Sequence, residues 1–273
     1  MPNPQAADNR GSSPGDDQIE DLGLRLYGAE QRQSAIEPLT DTWPNMTVAE
    51  AYAVQQVYVR LRRAAGATVV GHKIGATSRA IQDLFDIDTP DYGHLFDDMR
   101  CEEDEPIPTA ELIAPLIEPE IAFSLAEDVA GPGLSGRDVV DASAGVVACL
   151  EVIDSRIDSW RIRLADTVAD NGSSARFVVG TEIVPIASHD LIAEAVVLER
   201  NGEKVGVGTG ADVLGDPAEA AAWLANAMGA FGVTLRAGTI VLSGSMTTAV
   251  PARRGDYFCA RFTTLGTVSC VFV

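Results

Sequence analysis

Leu116-Ile-Glu-Pro-Glu-Ile-Ala-Phe123 and Val146-Val-Ala-Cys-Leu-Glu-Val-Ile153 are two apolar, β-branched segments, each carrying carboxylates where a hydrophobic residue is expected. Both have the length and composition of buried strands. Residues two apart on a strand share a face, so Glu118 and Glu120 point the same way. An ionised carboxylate removed from water costs several kcal/mol unless something compensates it. Two side by side also repel each other. With few cations nearby, a hard divalent metal bound by Glu118, Glu120 and Glu151 is the simplest resolution. The alternative is an edge strand whose two glutamates face solvent. Pro119, which lacks an N–H, suits an edge position, whereas the apolar flanks favour burial and the metal.

Other elements follow from those strands. Residues 1–16 are polar and rich in Pro, Gly and Ser, and are expected to be disordered. A helix is expected from Gln18 to Gln33. A second begins at Thr47, where Thr47-Val-Ala-Glu50 reads as a capping box, and stops at Gly66. Together they form a small helical N-terminal region over 17–68. The β-rich remainder, 69–273, is the expected catalytic domain. Its strands are expected at Val69–Ile74, 115–126, 196–205, 239–243, 256–263 and 267–273. Asn201-Gly202 makes the third of these a hairpin with a type I′ turn. A short helix is expected from Thr77 or Ser78 through Leu84. Others are expected from Asp138 to about Ala148, entering the Glu151 strand, and from the Asp216-Pro217 cap to Gly232. Thr89-Pro-Asp-Tyr-Gly-His94 reads as a turn, and Asp166–Ser174 as a polar loop. Helices scattered among short strands without βαβ alternation indicate an α+β fold.

The 273 residues carry 40 acidic and 20 basic side chains, a net charge of −20. That charge repels phosphate backbones and anionic lipid surfaces, so neither nucleic acid nor membrane is an expected partner. No stretch is apolar for long enough to cross a bilayer, and the N-terminus lacks the pattern of a secretory signal. Cys101, Cys149, Cys259 and Cys270 have no CxxC spacing and read as reduced core residues, which makes the cytoplasm the expected location. Gly71, Gly75 and the glycines at 206, 208 and 210 form no phosphate-binding loop, which argues against a nucleotide cofactor.

Lys73, in an apolar strand, is a candidate proton-transfer residue, with a pKa expected to be lowered by burial. Asp91 is either a turn residue or a functional carboxylate. His72, His94 and His189 are too scattered to form a triad, no Gly-x-Ser-x-Gly elbow is present, and His72 reads as structural. The run Ser243-Gly-Ser-Met-Thr247 could hold a carboxylate or simply turn the chain.

Six stretches occur in a specific order: Gly71-His-Lys-Ile-Gly-Ala-Thr-Ser78, Pro90-Asp-Tyr-Gly-His-Leu95 with Asp98-Met99, Ile117–Phe123, Glu151-Val-Ile-Asp-Ser-Arg-Ile157 with Trp160, Asp166-Thr-Val-Ala-Asp-Asn171, and Arg236–Ser245. In this the chain resembles the hydratase/decarboxylase family of aromatic and steroid meta-cleavage pathways, within the fumarylacetoacetate hydrolase superfamily. The likeness runs from about residue 45 to the end. The resemblance implies a mixed β-roll core and a divalent cation, Mg²⁺ or Mn²⁺, on Glu118, Glu120 and Glu151. It also implies catalytic roles for Lys73 and Asp91, substrate contacts at Ser173 and Ser245, and assembly as a homo-oligomer. The implied activity is hydration of a small-molecule 2-hydroxy-2,4-dienoate to a 4-hydroxy-2-oxo acid. The alternatives are decarboxylation of 2-oxo-3-hexenedioate, C–C hydrolysis of an acylpyruvate, and non-catalytic binding of a 2-oxo acid. The Asp91-Tyr-Gly-His stretch, taken as lid-like, favours the hydratase branch.

Overall fold

The computed structural model describes residues 13–78, 82, 87, 89–103 and 105–273. The expected tail lies outside these residues up to position 12. So does most of the helix expected from Thr77 or Ser78 to Leu84. Among the described residues the chain forms one large mixed sheet, one smaller antiparallel sheet and a few helices, in agreement with the α+β reading.

The helices come first. Helix α1 spans Asp16–Gln31, two residues earlier than expected. A short α2 (Leu39–Thr42) follows, and then α3 (Val48–Ala64). The capping box at the start of α3 forms as expected, with Thr47 Oγ1 accepting from the Glu50 backbone N–H and Glu50 Oε2 accepting from the Thr47 N–H. Helix α3 packs against α1 on one side and against α5 (Leu164–Ala169) on the other. The contact with α5 draws residues 164–173 under the site described below.

In the large sheet, β2 (Asp91–Phe96) lies at one edge beside β1 (Val69–Gly75). The order continues through β9 (Ile240–Ser245), β4 (Leu116–Leu125), β5 (Ser143–Ile153), β6 (Ser174–Val179) and the two-residue β3 (Arg100–Cys101). Pairs β1–β9 and β3–β6 are parallel, and the other pairs along this path are antiparallel. A short β10 (Val250–Pro251) also pairs with β4, beyond the end of β9. The smaller sheet runs β12 (Thr267–Val271), β11 (Tyr257–Phe262), β7 (Ala195–Arg200) and β8 (Glu203–Thr209), and it lies against β5 and β6. The β7–β8 hairpin turns through Asn201 and Gly202, both in the left-handed region, as the Asn-Gly signal requires. Helix α6 (Pro217–Gly229) opens on the Asp216 cap, ends three residues before Gly232, and packs against α4 (Gly136–Ala142) and β9. Among the described residues no helix is long and apolar enough to cross a membrane.

Several expectations are corrected. Pro119 is not on an edge, because β4 is central, between β5 and β9. It is accommodated there because its carbonyl accepts from Met246, at the break between β9 and β10. A residue's N and carbonyl lie on the same side of a strand, so the missing N–H faces a gap in the ladder. The helix expected over Asp138–Ala148 ends at Ala142, and strand begins at Ser143. Val146 and Val147 are buried opposite Phe123 and Ala122, and that ladder outweighs local helical preference. Residues 91–96 are a fully buried strand rather than a turn. The polar run 166–174 is α5 followed by a tight turn, in which Asn171, Gly172 and Ser173 are all left-handed, with φ of 56, 58 and 55°.

That turn is fastened by a buried ion pair. Arg156 Nε donates to Asp170 Oδ1 at 2.6 Å, and its other nitrogens donate to the carbonyls of Asp154, Ser174 and Asp170. Asp170 also accepts from Ser155 Oγ, Ser173 Oγ and the Arg156 backbone. Burial pushes its carboxyl up to about 6 against the opposing pull of Arg156. Removing the cation alone strands a buried carboxylate. Arg156→Met is expected to lower stability by about 3–5 kcal/mol, and urea denaturation would read this. A loss below about 1 kcal/mol would contradict the fastening role.

Candidate active site

Strand register assembles the acidic cluster. Glu118 of β4 sits directly opposite Glu151 of β5, and Glu120 is two residues further along the same face. One carboxylate oxygen from each of the three lies within 4.8 Å of the others. Glu151 is fully buried, Glu120 nearly so, and Glu118 retains 9% exposure, at the wall of a cavity. Glu120 Oε2 accepts from the backbone N–H of Gly244 at 2.8 Å. Glu120 Oε1 and both oxygens of Glu151 make no well-formed hydrogen bond, although Ser174 and Glu120 lie close enough to Glu151 to pull its pKa down. Buried carboxylate oxygens without donors are costly, and all-oxygen convergence at this spacing suits a hard divalent cation. The residues fit such an ion.

The electrostatics agree. Burial pushes Glu118 up to about 8, with Lys73 pulling the other way. Burial holds Glu120 well above the carboxylate range, reinforced by Glu151 and Glu118. Glu151 is also raised by burial, against the pull of Lys73. Lys73 corrects the sequence-based expectation: burial disfavours its charge, but Glu151, Asp91, Glu118 and Glu120 outweigh that and raise its pKa.

Lys73 Nζ lies 3.6 Å from Glu151 Oε2 and 3.6 Å from Asp91 Oδ1, and it donates to the Gly172 carbonyl at 2.9 Å. Strand pairing sets the Lys73–Asp91 approach, because Asp91 is opposite Gly75, two residues along from Lys73. A Cβ on Gly75 would meet Asp91 Oδ1 at 2.3 Å and Lys73 Nζ at 2.6 Å, so only glycine leaves room for the pair. Asp91 Oδ2 accepts from Thr167 Oγ1, while Asp91 Oδ1 is buried with no hydrogen bond. Gly93 performs a similar service one step away. Its bare Cα admits the Asn171 carbonyl, and the Asn171 side chain pairs with both the N–H and the C=O of His94.

Lys73, Asp91, Glu118 and Ser173 therefore line one cavity of about 190 Å³. Glu120 and Glu151 lie behind Glu118. Ser173 Oγ donates to Asp170 Oδ2. Ser245 stands opposite Glu120 in the sheet, but its hydroxyl donates to the Thr247 carbonyl and it is not on the cavity wall, where Thr248 and Ala249 are. Thr167 and the Gly172 carbonyl escaped sequence reasoning as functional groups. The first lay in a stretch read as loop, and the second is a backbone atom that no side-chain pattern reports. His72 and His94 are buried and tilted against each other, 5.0 Å between centroids. Burial lowers both, His94 to about 4, so they are neutral at pH 7 and suit a structural reading.

The family model for the fumarylacetoacetate (FAA) hydrolase C-terminal region matches residues 100–273, and the chain belongs to this family. It is 45% identical over 256 residues to the 2-hydroxyhexa-2,4-dienoate hydratase of Comamonas testosteroni, spanning 93% of this chain and 97% of that protein. It is 43% identical over 257 residues to the 2-keto-4-pentenoate hydratase of Burkholderia vietnamiensis, spanning 94% and 98%. Among solved structures, 4-oxalocrotonate decarboxylase from Pseudomonas putida G7, complexed with magnesium and adipate, matches with a TM-score of 0.92 at 37% identity, covering 95% of this chain and 99% of that one.

A pH dependence follows from the cluster. Glu118 rises from 4.5 to about 8 on folding without metal. The metal-free folded state therefore binds more protons than the unfolded chain, and its stability falls as pH rises through that window. His72 and His94, both lowered from 6.5 by burial, act in the opposite sense, but most of that effect falls below the window because it fades as pH passes the unfolded value of 6.5. Chelator-treated protein is thus expected to lose about 1–2 kcal/mol between pH 6.5 and 8. Adding Mg²⁺ at the upper end should restore the loss with release of protons. Urea midpoints and calorimetry in buffers of different ionisation enthalpy would measure both. Stability that is level or rising across the window, without metal, would count against the cluster.

Proposed function

We propose that the chain is a divalent-cation-dependent hydro-lyase. It adds water to a 2-hydroxy-2,4-dienoate, the enol of a 2-oxo acid, and yields a 4-hydroxy-2-oxo acid in meta-cleavage catabolism of aromatic or steroid compounds. The observation that carries this is the convergence of Glu118, Glu120 and Glu151 beside the Lys73–Asp91 pair, with Glu118, Lys73 and Asp91 on the wall of one cavity. The names of the relatives at 45% and 43% identity support it.

Glu118, Glu120 and Glu151 would hold Mg²⁺ or Mn²⁺. When bound, such an ion supplies Lewis acidity toward the substrate carboxylate and the neighbouring C2 oxygen. The chain's own residues do the rest. Lys73 is fixed by the Gly172 carbonyl and two carboxylates, so its ammonium sits at the polar end of the cavity. Asp91 keeps one oxygen on Thr167 and the other free to take or return a proton. The pair serves proton delivery to C5 as the C2 enol gives up its own proton, giving a 2-oxo-3-enoate, and then activation of the water whose hydroxyl adds at C4 and whose proton goes to C3. Ser173 stands where it can contact the substrate, and the same role at Ser245 would require its hydroxyl to leave Thr247. All of these residues follow position 69, which supports assigning the chemistry to 69–273 and a supporting part to the helical region 17–68.

The second reading, decarboxylation of 2-oxo-3-hexenedioate, has the 37%-identical decarboxylase structure in its favour. We further propose that the protein acts in the cytoplasm as a homo-oligomer, in keeping with exposed apolar side chains such as Val207, Ile183 and Tyr257.

Freshly generated 2-hydroxypenta-2,4-dienoate should lose its diene absorbance with Mg²⁺ and retain it with chelator. Release of CO₂ from the hexenedioate, with no hydration of the dienoate, would favour the decarboxylase. Lys73→Met and Asp91→Asn should each lower kcat by roughly a hundredfold or more. Glu120→Gln should weaken Mg²⁺ affinity and turnover together, and a variant unaffected in both would remove Glu120 from the ligand set.

A further inference from the structure

The cavity has two chemically opposite ends, and strand register makes them so. On the shared face of β4 and β5, the rung occupied by Glu118 and Glu151 is followed, two residues along, by Leu116 opposite Ile153. That rung lies about 7 Å beyond the carboxylates, and both side chains are half-buried and line the cavity. Trp160 and Ile162 continue the wall in the same apolar character.

Trp160 is held there against a backbone preference. Ser159 and Trp160 both adopt left-handed conformations, with φ of 57 and 54°, a region that favours glycine. The indole Nε1 donates to the Ala114 carbonyl at 3.2 Å. The Ile113 and Ala114 N–H groups in turn donate to the Asp154 carboxylate at 2.8 and 2.6 Å, anchoring that carbonyl just past the end of β5. Two cations near the wall are engaged elsewhere: Arg161 with Glu37 and Asp41, and Arg176 with Glu111. Among the described lining residues Lys73 is the sole cation, and it belongs to the carboxylate end.

We infer that Leu116, Ile153, Trp160 and Ile162 select the substituent at C5 of the dienoate, accepting a short unbranched alkyl group and rejecting a second carboxylate. This rests on the proposed reading of the site, in which the 2-oxo acid end is fixed at Glu118, Glu120 and Glu151. An extended dienoate anchored there and running along β4 and β5 brings its C5 substituent to the Leu116–Ile153 rung. An alkyl group gains burial at that point, whereas a carboxylate loses its water and meets no cationic side chain among the described lining residues. Trp160 closes the far side and sets the length accepted.

The test compares kcat/KM for 2-hydroxypenta-2,4-dienoate, its hexa and hepta homologues, and 2-hydroxyhepta-2,4-diene-1,7-dioate, all with Mg²⁺. The expected result is a rise of roughly tenfold for the first added methylene, and a diacid at least roughly a hundredfold poorer than the hepta monoacid. Trp160→Ala, and separately Ile162→Ala, should move the optimum to longer chains, raising the ratio of kcat/KM for the hepta homologue over the pentadienoate by roughly tenfold. A merely structural loss would lower all substrates alike. Leu116→Arg should raise activity on the diacid relative to the monoacid. Binding provides an independent readout: with Mg²⁺, 2-oxohexanoate should stabilise the protein against heat more than 2-oxoadipate does. Turnover of the pentadienoate with no preference among tails, or equal use of the diacid, overturns this assignment and leaves the hydratase reading standing. Absence of any dienoate turnover, with the diacid 2-oxoadipate binding the better, overturns both.

Discussion

A cluster of like charges sealed inside a β-sheet organises this molecule. Three carboxylates converge where β4 and β5 pair, one ammonium from β1 stands among them, and a fourth carboxylate closes the group from β2. Formal charge in this cluster does not balance. Lys73 offsets part of the repulsion and is itself held charged by it, yet Glu151 and Glu120 retain oxygens with no well-formed hydrogen bond. Such a centre can be tolerated only where the surrounding packing is rigid, and the large sheet provides that. Its central strands are buried along almost their whole length and are backed by the second sheet.

Backbone features position the polar groups as much as side chains do. The left-handed turn at 171–173 turns a carbonyl toward Lys73, and Asn171 ties the same turn to β2 through both backbone groups of His94. Arg156 and Asp170 hold the base of the turn. The glycines at 75 and 93 are where side chains would collide with this arrangement. Fold and site are therefore one structure here: the ion pair that stabilises the core also fixes the acceptor that orients the lysine.

Much of this was legible in the sequence, for definable reasons. The strands bearing Glu118, Glu120 and Glu151 were readable because carboxylates in β-branched apolar runs violate local expectation, and violations of that kind mark functional sites. The capping box at Thr47, the Asn201-Gly202 hairpin and the Asp216 cap were readable because each depends on chemistry within a few residues. What escaped depended on distant partners. Asp91 looked like a turn residue because Pro90 precedes it, although the strand it opens pairs with β1 along its full length. Pro119 looked like an edge marker because a gap between two other strands cannot be seen from position 119 alone. Lys73 was assigned the wrong direction of shift because burial was counted and the four surrounding carboxylates were not.

Because β4 and β5 run antiparallel in continuous register from Leu116 to Phe123, the two-residue repeat works as a ruler laid through the cavity. Carboxylates occupy one graduation and the greasy wall occupies the next. Side chains at 116 and 153 can therefore be exchanged while the strand register that holds the acidic centre is kept. The acidic centre and the apolar wall thus share one pair of strands, yet each can vary in sequence independently of the other.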